Sequence, residues 1–287
     1  MRNIINSARP RQWVKNLTIF LPLLFTGNLF INPILIQGGI TFLSFSLVAS
    51  GIYFFNDIID FDQDQQHPRK KFRPIASGKI SKSFALSCSF ILVFLGVLTG
   101  GSVKASVGII LLIYVFVNIA YSTVIKKILF LDVMAIALGF ILRVYAGSEL
   151  TGFQASPWIL STTYLLSLML GFGKRRGELA SLGENSNNHR KVLEHYTLEL
   201  LDQILTFLAG CVIMSYILYT FSDYTVQRFG SNLFWTIPFV MYGVFRFFYL
   251  THTKKFYGDP TEIFLKDYPL LGCVILWGIL CVILIYS

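Results

Sequence analysis

The chain has 287 residues, of which 54% are hydrophobic and only 14% charged, with a mean hydropathy of +0.63 and a net charge of +9. Soluble domains carry about a quarter charged residues, so this composition excludes a water-soluble enzyme and leaves no room for a separate soluble domain. The apolar runs are long and continuous rather than alternating, which excludes a transmembrane β-barrel.

A helix needs about 20 apolar residues to cross ~30 Å of hydrocarbon. Nine stretches meet that need: 13–31, 35–56, 83–101, 105–123, 129–148, 156–173, 199–221, 232–250 and 269–286. The expected fold is all-α, a bundle of nine transmembrane helices forming a single domain over 1–287. No small-residue cleavage site follows the first span, so it reads as a retained helix and not as a signal peptide. With the N-terminus in the cytosol, 20 of the 24 Lys and Arg fall on that side, Lys104 and Arg228 on the other, and Arg143 and Arg246 within spans. This alternation is the positive-inside pattern, and it explains the basic charge without nucleic acid. It implies a multi-pass protein of the inner (plasma) membrane whose cytosolic loops carry the polar chemistry. The four cysteines, Cys88, Cys211, Cys273 and Cys281, are scattered through apolar spans and read as packing residues.

The second span ends in "NDIIDFDQDQQHPRKKFRPIASG", residues 56–78. On a helix Asn56, Asp60 and Asp64 form one stripe, and Asp57 shares a face with Asp64, while Asp62 points elsewhere. Stacked carboxylates repel unless a cation lies between them. Hard oxygen donors completed by water and a substrate phosphate suit Mg²⁺, with Asp60, Asp64 and Asn56 as candidate ligands. Arg73 and Lys71 follow closely enough to meet the remaining charge of a diphosphate. The His67-Pro68 step ends the helix, with His67 either a turn residue or a phosphate contact, and Pro74 and Gly78 mark a further turn.

Further along, Asp132 and Arg143 share a face of the fifth span, where an intramembrane Arg needs a partner. It is either half of an ion pair or a phosphate contact. Small residues such as Gly139, Ala146, Gly147, Gly171 and Gly173 allow close helix approach. The sixth span ends in "GFGKRRGELASLGE", where Lys174 and Glu178 are spaced to pair. A transporter is disfavoured, because the acids cluster at one membrane face and no internal repeat is evident.

The pattern N-D-x-x-D-x-x-x-D at a cytosolic helix end resembles the UbiA superfamily of intramembrane prenyltransferases. "RPRQWVKN" (9–16), "D-x-x-HP-x-K-x-FRPIASG" (64–78), "LRVYAG" (142–147), "GKRRGEL" (173–179) and "GDPTEIFLKD" (258–267) are together similar to one branch, the decaprenyl-phosphate phosphoribosyltransferases. The resemblance implies a UbiA-like bundle that takes phosphoribosyl pyrophosphate and a polyprenyl phosphate, with Mg²⁺ as cofactor, for cell-envelope glycan precursors. It implies catalytic roles for Asp60, Asp64 and Arg73. Lys15, Asn56, Asp57, His67, Lys71, Tyr121 and Lys126 are implied substrate contacts, although Lys15 reads equally as a snorkelling lysine. Most members resemble one another in a second motif, D-x-x-x-D, after the sixth span. Here Lys174, Arg175 and Glu178 stand in its place, a set suited to direct binding of an anion and not to a second metal. The alternative is prenyl transfer to an aromatic acceptor. Asp259, Glu262 and Asp267 read as lid or packing residues.

Overall fold

A computed structural model describes residues 2–67, 70–180, 191–253 and 266–287. Helices make up the regular structure, with no strand among the described residues. In chain order the α-helices are α1 (Arg2–Ala8), α2 (Phe20–Leu24), α3 (Asn32–Ile59), α4 (Phe61–Gln66), α5 (Lys82–Val103), α6 (Ala105–Thr123), α7 (Leu131–Thr151), α8 (Pro157–Ala180), α9 (Leu198–Phe221), α10 (Asp223–Phe229), α11 (Ile237–Thr253) and α12 (Tyr268–Tyr286). Among the described residues seven helices are long and apolar enough to cross a membrane: α3, α5, α6, α7, α9, Ser231–Thr253 and α12.

The expectation of nine spans departs from this at two places. The first span is broken: Pro10–Ile19 is a 3₁₀ helix that hands over to the short α2. The sixth, α8, is 24 residues long but ends in the charged run from Lys174 to Glu178 and carries Ser161, Thr162, Thr163 and Ser167. Both are therefore less apolar or less continuous than a simple lipid-crossing helix.

The described residues divide into two compact units, the first through Ala135 plus Leu142–Gln154, the second Ile136–Ile141 plus those from Ala155 onward. In the first, α3 packs along α5 through small polar residues: Ser89 Oγ donates to Gly51 O at 2.7 Å, and Ser44 Oγ and Thr99 Oγ1 lie 3.0 Å apart. Such contacts replace the hydrophobic drive that lipid cannot supply. An apolar core of Ile19, Leu23, Phe45, Leu111, Leu142 and Ala146 joins α2, α3, α6 and α7 to the 3₁₀ segment. Gly147 meets the expectation for small residues, since a Cβ there would run into the backbone carbonyl of Ile19.

In the second unit α8 packs on α9, and α11 on α12. Gly173 of α8 seats the ring of Phe247, whose Cζ would lie 2.7 Å from any added Cβ. Polar contacts also lie within the unit: Tyr216 OH and Thr236 Oγ1 lie 2.7 Å apart, and Trp277 Nε1 donates to Tyr216 OH at 2.9 Å. Asp267 is a packing residue: it caps α12 by accepting from Leu270 N–H at 3.0 Å and binds Arg246 through both oxygens, at 3.1 and 2.9 Å. Its expected companions Asp259 and Glu262 lie outside the described residues, as do Pro68 and Arg69.

Candidate active site

The first unit builds its charged cluster at the end of α3. The helix stops at Ile59 because Asp60 adopts φ −88°, ψ 6°. The one-turn spacing nevertheless passes through the bend: Asp60 N–H donates to Asn56 O at 2.9 Å and Asp64 N–H to Asp60 O at 2.8 Å. Asn56, Asp60 and Asp64 thus remain a turn apart. α4 ends at His67, which is extended (φ −81°, ψ 133°) as a residue before proline must be. Its Nδ1 accepts from Lys70 N–H at 3.3 Å, so His67 serves the turn. A 3₁₀ turn over Lys70–Phe72 then reverses the chain. Buried Ile75 and Ile80 anchor this loop against Phe54 of α3 and Ala85 of α5. That anchorage delivers Arg73 over the carboxylates.

Arg73 Nη1 donates to Asp57 Oδ1 at 3.1 Å and to Asp64 Oδ2 at 2.6 Å. Both aspartates are only 2% exposed, and buried charge of this kind persists only when paired. The same Asp57 oxygen also accepts from Arg9 Nη2, and the Arg9 guanidinium lies 4.7 Å from the centre of the Tyr53 ring. Lys126, on the 3₁₀ turn Ile125–Lys127 after α6, is ion-paired with Asp60, and Ser122 Oγ donates to Asn56 Oδ1. The stripe legible in sequence is therefore met by cations from two separate segments, and its neighbour Asp57 by a third. Arg9 and Ser122 were not foreseen. Arg9 holds a left-handed backbone (φ 52°, ψ 59°), which costs a residue other than glycine roughly 1 kcal/mol or more.

The other expected contacts are more dispersed. Lys71 is exposed, its ammonium 5.3 Å from the Phe72 ring. Lys15 and Tyr121 are half-buried on the 3₁₀ segment and on α6. Arg143, buried in α7, donates to Asn16 Oδ1 at 2.7 Å and Tyr114 OH at 2.8 Å, and lies 4.7 Å from the Tyr114 ring. Both of these described partners are neutral.

Magnesium fits the donor chemistry at the end of α3. Asn56, Asp60 and Asp64 stand one turn apart, and Asp60 and Asp64 each already hold a cation, Lys126 and Arg73. No cluster of three or more His, Cys, Asp or Glu is placed to hold a metal among the described residues. The protein would thus supply one or two carboxylates, and water or phosphate oxygens the rest, which is the usual arrangement for this ion.

In the second unit Lys174 is half-buried. Arg175, expected to meet an anion directly, is instead 1% exposed, with Nη1 2.6 Å from Glu178 Oε2. Arg176 is bound to Asp202 through both oxygens, and its Nη1 donates to Thr251 O at 2.7 Å. His252 Nε2 lies 3.0 Å from the same Asp202. Sequence reasoning missed this triad, though its signal was present: Asp202 is a carboxylate inside an apolar span.

The model of the UbiA prenyltransferase family matches residues 17–175. The decaprenyl-phosphate phosphoribosyltransferase of Corynebacterium glutamicum is 30% identical over 290 residues, covering 99% of this chain and 86% of that protein. The protein of the same name from Mycolicibacterium smegmatis is 29% identical over 284 residues, covering 96% and 89%. Among solved structures, a UbiA homolog from Archaeoglobus fulgidus bound to DMAPP and Mg²⁺ superposes with a TM-score of 0.75 at 17% identity, over 99% of each chain, which shows the fold.

Proposed function

We propose that this chain, which belongs to the UbiA prenyltransferase family, transfers 5-phosphoribose from phosphoribosyl pyrophosphate to a polyprenyl phosphate, releasing pyrophosphate for cell-envelope glycan precursor synthesis. The observation that carries the choice of substrate is the segment Lys174–Arg175–Arg176 with Glu178, in place of a second pair of aspartates. Near-full-length similarity to proteins named for this activity supports it.

In this reading the lipid phosphate oxygen attacks C1 of the ribose as the C1–O bond to pyrophosphate breaks. The nucleophile is already anionic at neutral pH, so no general base is required. Arg73 and Lys126 offer charge-assisted donors to the leaving pyrophosphate, and preorganised charge of this kind is commonly the largest catalytic contribution. Mg²⁺, held by Asp60 and Asp64 with Asn56 alongside, would neutralise charge developing on the leaving group. Lys174 is assigned to an anion, and Arg175 to holding Glu178 in place. Lys15, Tyr121, Lys71 and His67 remain assigned to the periphery of the phosphate region. We further assign nine membrane crossings, adding the 10–24 segment and α8 to the seven apolar helices, in a single domain of the inner membrane with the N-terminus and the site on the cytosolic side.

The test is to incubate the purified protein with polyprenyl phosphate, phosphoribosyl pyrophosphate and Mg²⁺. Pyrophosphate release and a phosphoribosylated lipid are expected. The second reading, prenyl transfer, has in its favour the prenyl diphosphate bound by the Archaeoglobus homolog. Prenylation of 4-hydroxybenzoate without phosphoribosyl transfer would establish it instead.

A further inference from the structure

Asp57 is buried at the end of α3 with a single oxygen, Oδ1, accepting from two arginines. One of them, Arg73, divides the same Nη1 between Asp57 at 3.1 Å and Asp64 at 2.6 Å. How far Arg73 is drawn to Asp57 therefore depends on how well Asp57 is neutralised by its other partner, Arg9.

Arg9 is held for this task by its surroundings. It follows α1, its N–H closing the last turn on Ile5 O at 3.2 Å. Its left-handed φ of 52° suits a glycine at such a helix end, and the following Pro10 makes a helical conformation harder still. The segment is nevertheless pinned to α3 on both sides: Ser50 Oγ donates to Ala8 O at 3.0 Å and accepts from Trp13 Nε1 at 3.0 Å. The Tyr53 ring backs the guanidinium. An unfavourable backbone held in place by packing is the situation in which strain serves a site.

We propose that Arg9 is a positioning residue of the diphosphate site: by neutralising buried Asp57 it leaves Arg73 directed to Asp64 and to the incoming diphosphate. Without Arg9, Asp57 would claim Arg73 as its only described cation and draw the guanidinium away from the ligand. The proposal rests on the reading that this cluster takes a diphosphate, which holds for phosphoribosyl and prenyl transfer alike.

The experiment measures binding of inorganic pyrophosphate with Mg²⁺ to the full-length protein in nanodiscs, by titration calorimetry, alongside melting temperature. Arg9→Ala should weaken binding about tenfold, the scale of one charge-assisted hydrogen bond that a misdirected Arg73 no longer makes to the ligand. Arg9→Gly relieves the backbone while removing the guanidinium, and should show the same loss with a melting temperature at or above that of Arg9→Ala. Asp57→Asn removes the charge that Arg9 answers, so adding Arg9→Ala to Asp57→Asn should change affinity by less than about twofold. Wild-type affinity in Arg9→Gly overturns the proposal, as does an undiminished tenfold loss when Arg9→Ala is added to Asp57→Asn. If the wild-type protein binds no pyrophosphate with Mg²⁺, the diphosphate reading itself fails and the proposal with it.

Discussion

The two units pair their charges differently. At the end of α3 partners are shared: Asp57 takes two arginines, and Arg73 serves two aspartates with one nitrogen. In the second unit Arg176 and Arg246 each close on a single carboxylate, although Asp202 also meets His252. Arg246 and Asp267 match both donors to both oxygens, and Arg176 grips Asp202 while a further nitrogen binds the Thr251 carbonyl. Each of these links joins one helix to another or caps a helix end. A shared arrangement can exchange one partner for an incoming phosphate without stranding a charge. A closed one gives up a complete bidentate pair if it opens. The first cluster thus suits ligand binding, and the second, apart from Lys174, suits holding helices together.

The largest effect should come from the shared cluster. Asp60→Asn and Asp64→Asn should each lower turnover at least ~100-fold, since each removes a candidate metal ligand and charge compensation. Both variants should stay folded, because Asn nearly preserves the shape of Asp and Arg73 keeps Asp57 as a partner. Pyrophosphate release beside a melting curve reads this, and near-normal turnover in both variants breaks the assignment of this cluster to the ligand.

Lys174→Ala probes the exception in the second unit. A charge-assisted contact to phosphate contributes roughly 1.5–3 kcal/mol, so kcat/KM should fall ~10- to 150-fold. The Mg²⁺ dependence should stay close to wild type, which distinguishes this loss from that of the aspartate variants. An unchanged kcat/KM would leave the second unit purely structural.

Asp202→Asn should act on stability instead. It leaves Arg176 and His252 without their carboxylate, but with the Asp202 side chain 36% exposed the loss is screened by water, to about 1–2 kcal/mol. A lowered melting temperature with normal kcat in the folded fraction sharpens the contrast. A large loss of kcat at an unchanged melting temperature would place this triad in the catalytic machinery.

The smallest effect is expected at Ser122→Ala, which removes one neutral hydrogen bond to Asn56. It should reduce kcat/KM about 2- to 10-fold. A drop as large as that of Asp60→Asn would mean that Asn56 orientation matters as much as the carboxylates.

Much of this was legible from residues alone. The i, i+4 stripe of Asn56, Asp60 and Asp64 depends on local helical geometry, and it survived the bend at Asp60 because the backbone bonds run on through it. His67 in an extended turn follows from the proline after it. The positions of Lys71 and Arg175 were not legible, since a sequence shows that a cation is near but not which way its helix or loop turns it. Lys71 points to Phe72, and Arg175 is enclosed with Glu178.

The sequence by itself determined an all-helical membrane chain, the place of its acidic stripe and the basic segment that follows the sixth apolar run. Apolar length and one-turn spacing act over distances the backbone sets locally. Only the tertiary structure decided which cation meets which acid. Arg9 and Asp57 are 48 residues apart, and Lys126 and Asp60 are 66 apart. Pairing across such separations depends on how whole helices pack: α1 pinned to α3 through Ser50, and the turn after α6 brought beside the end of α3. The first expected span is a 3₁₀ segment and α2, lying with Ile19 against Gly147 and in the apolar core, an approach that residue spacing alone does not show.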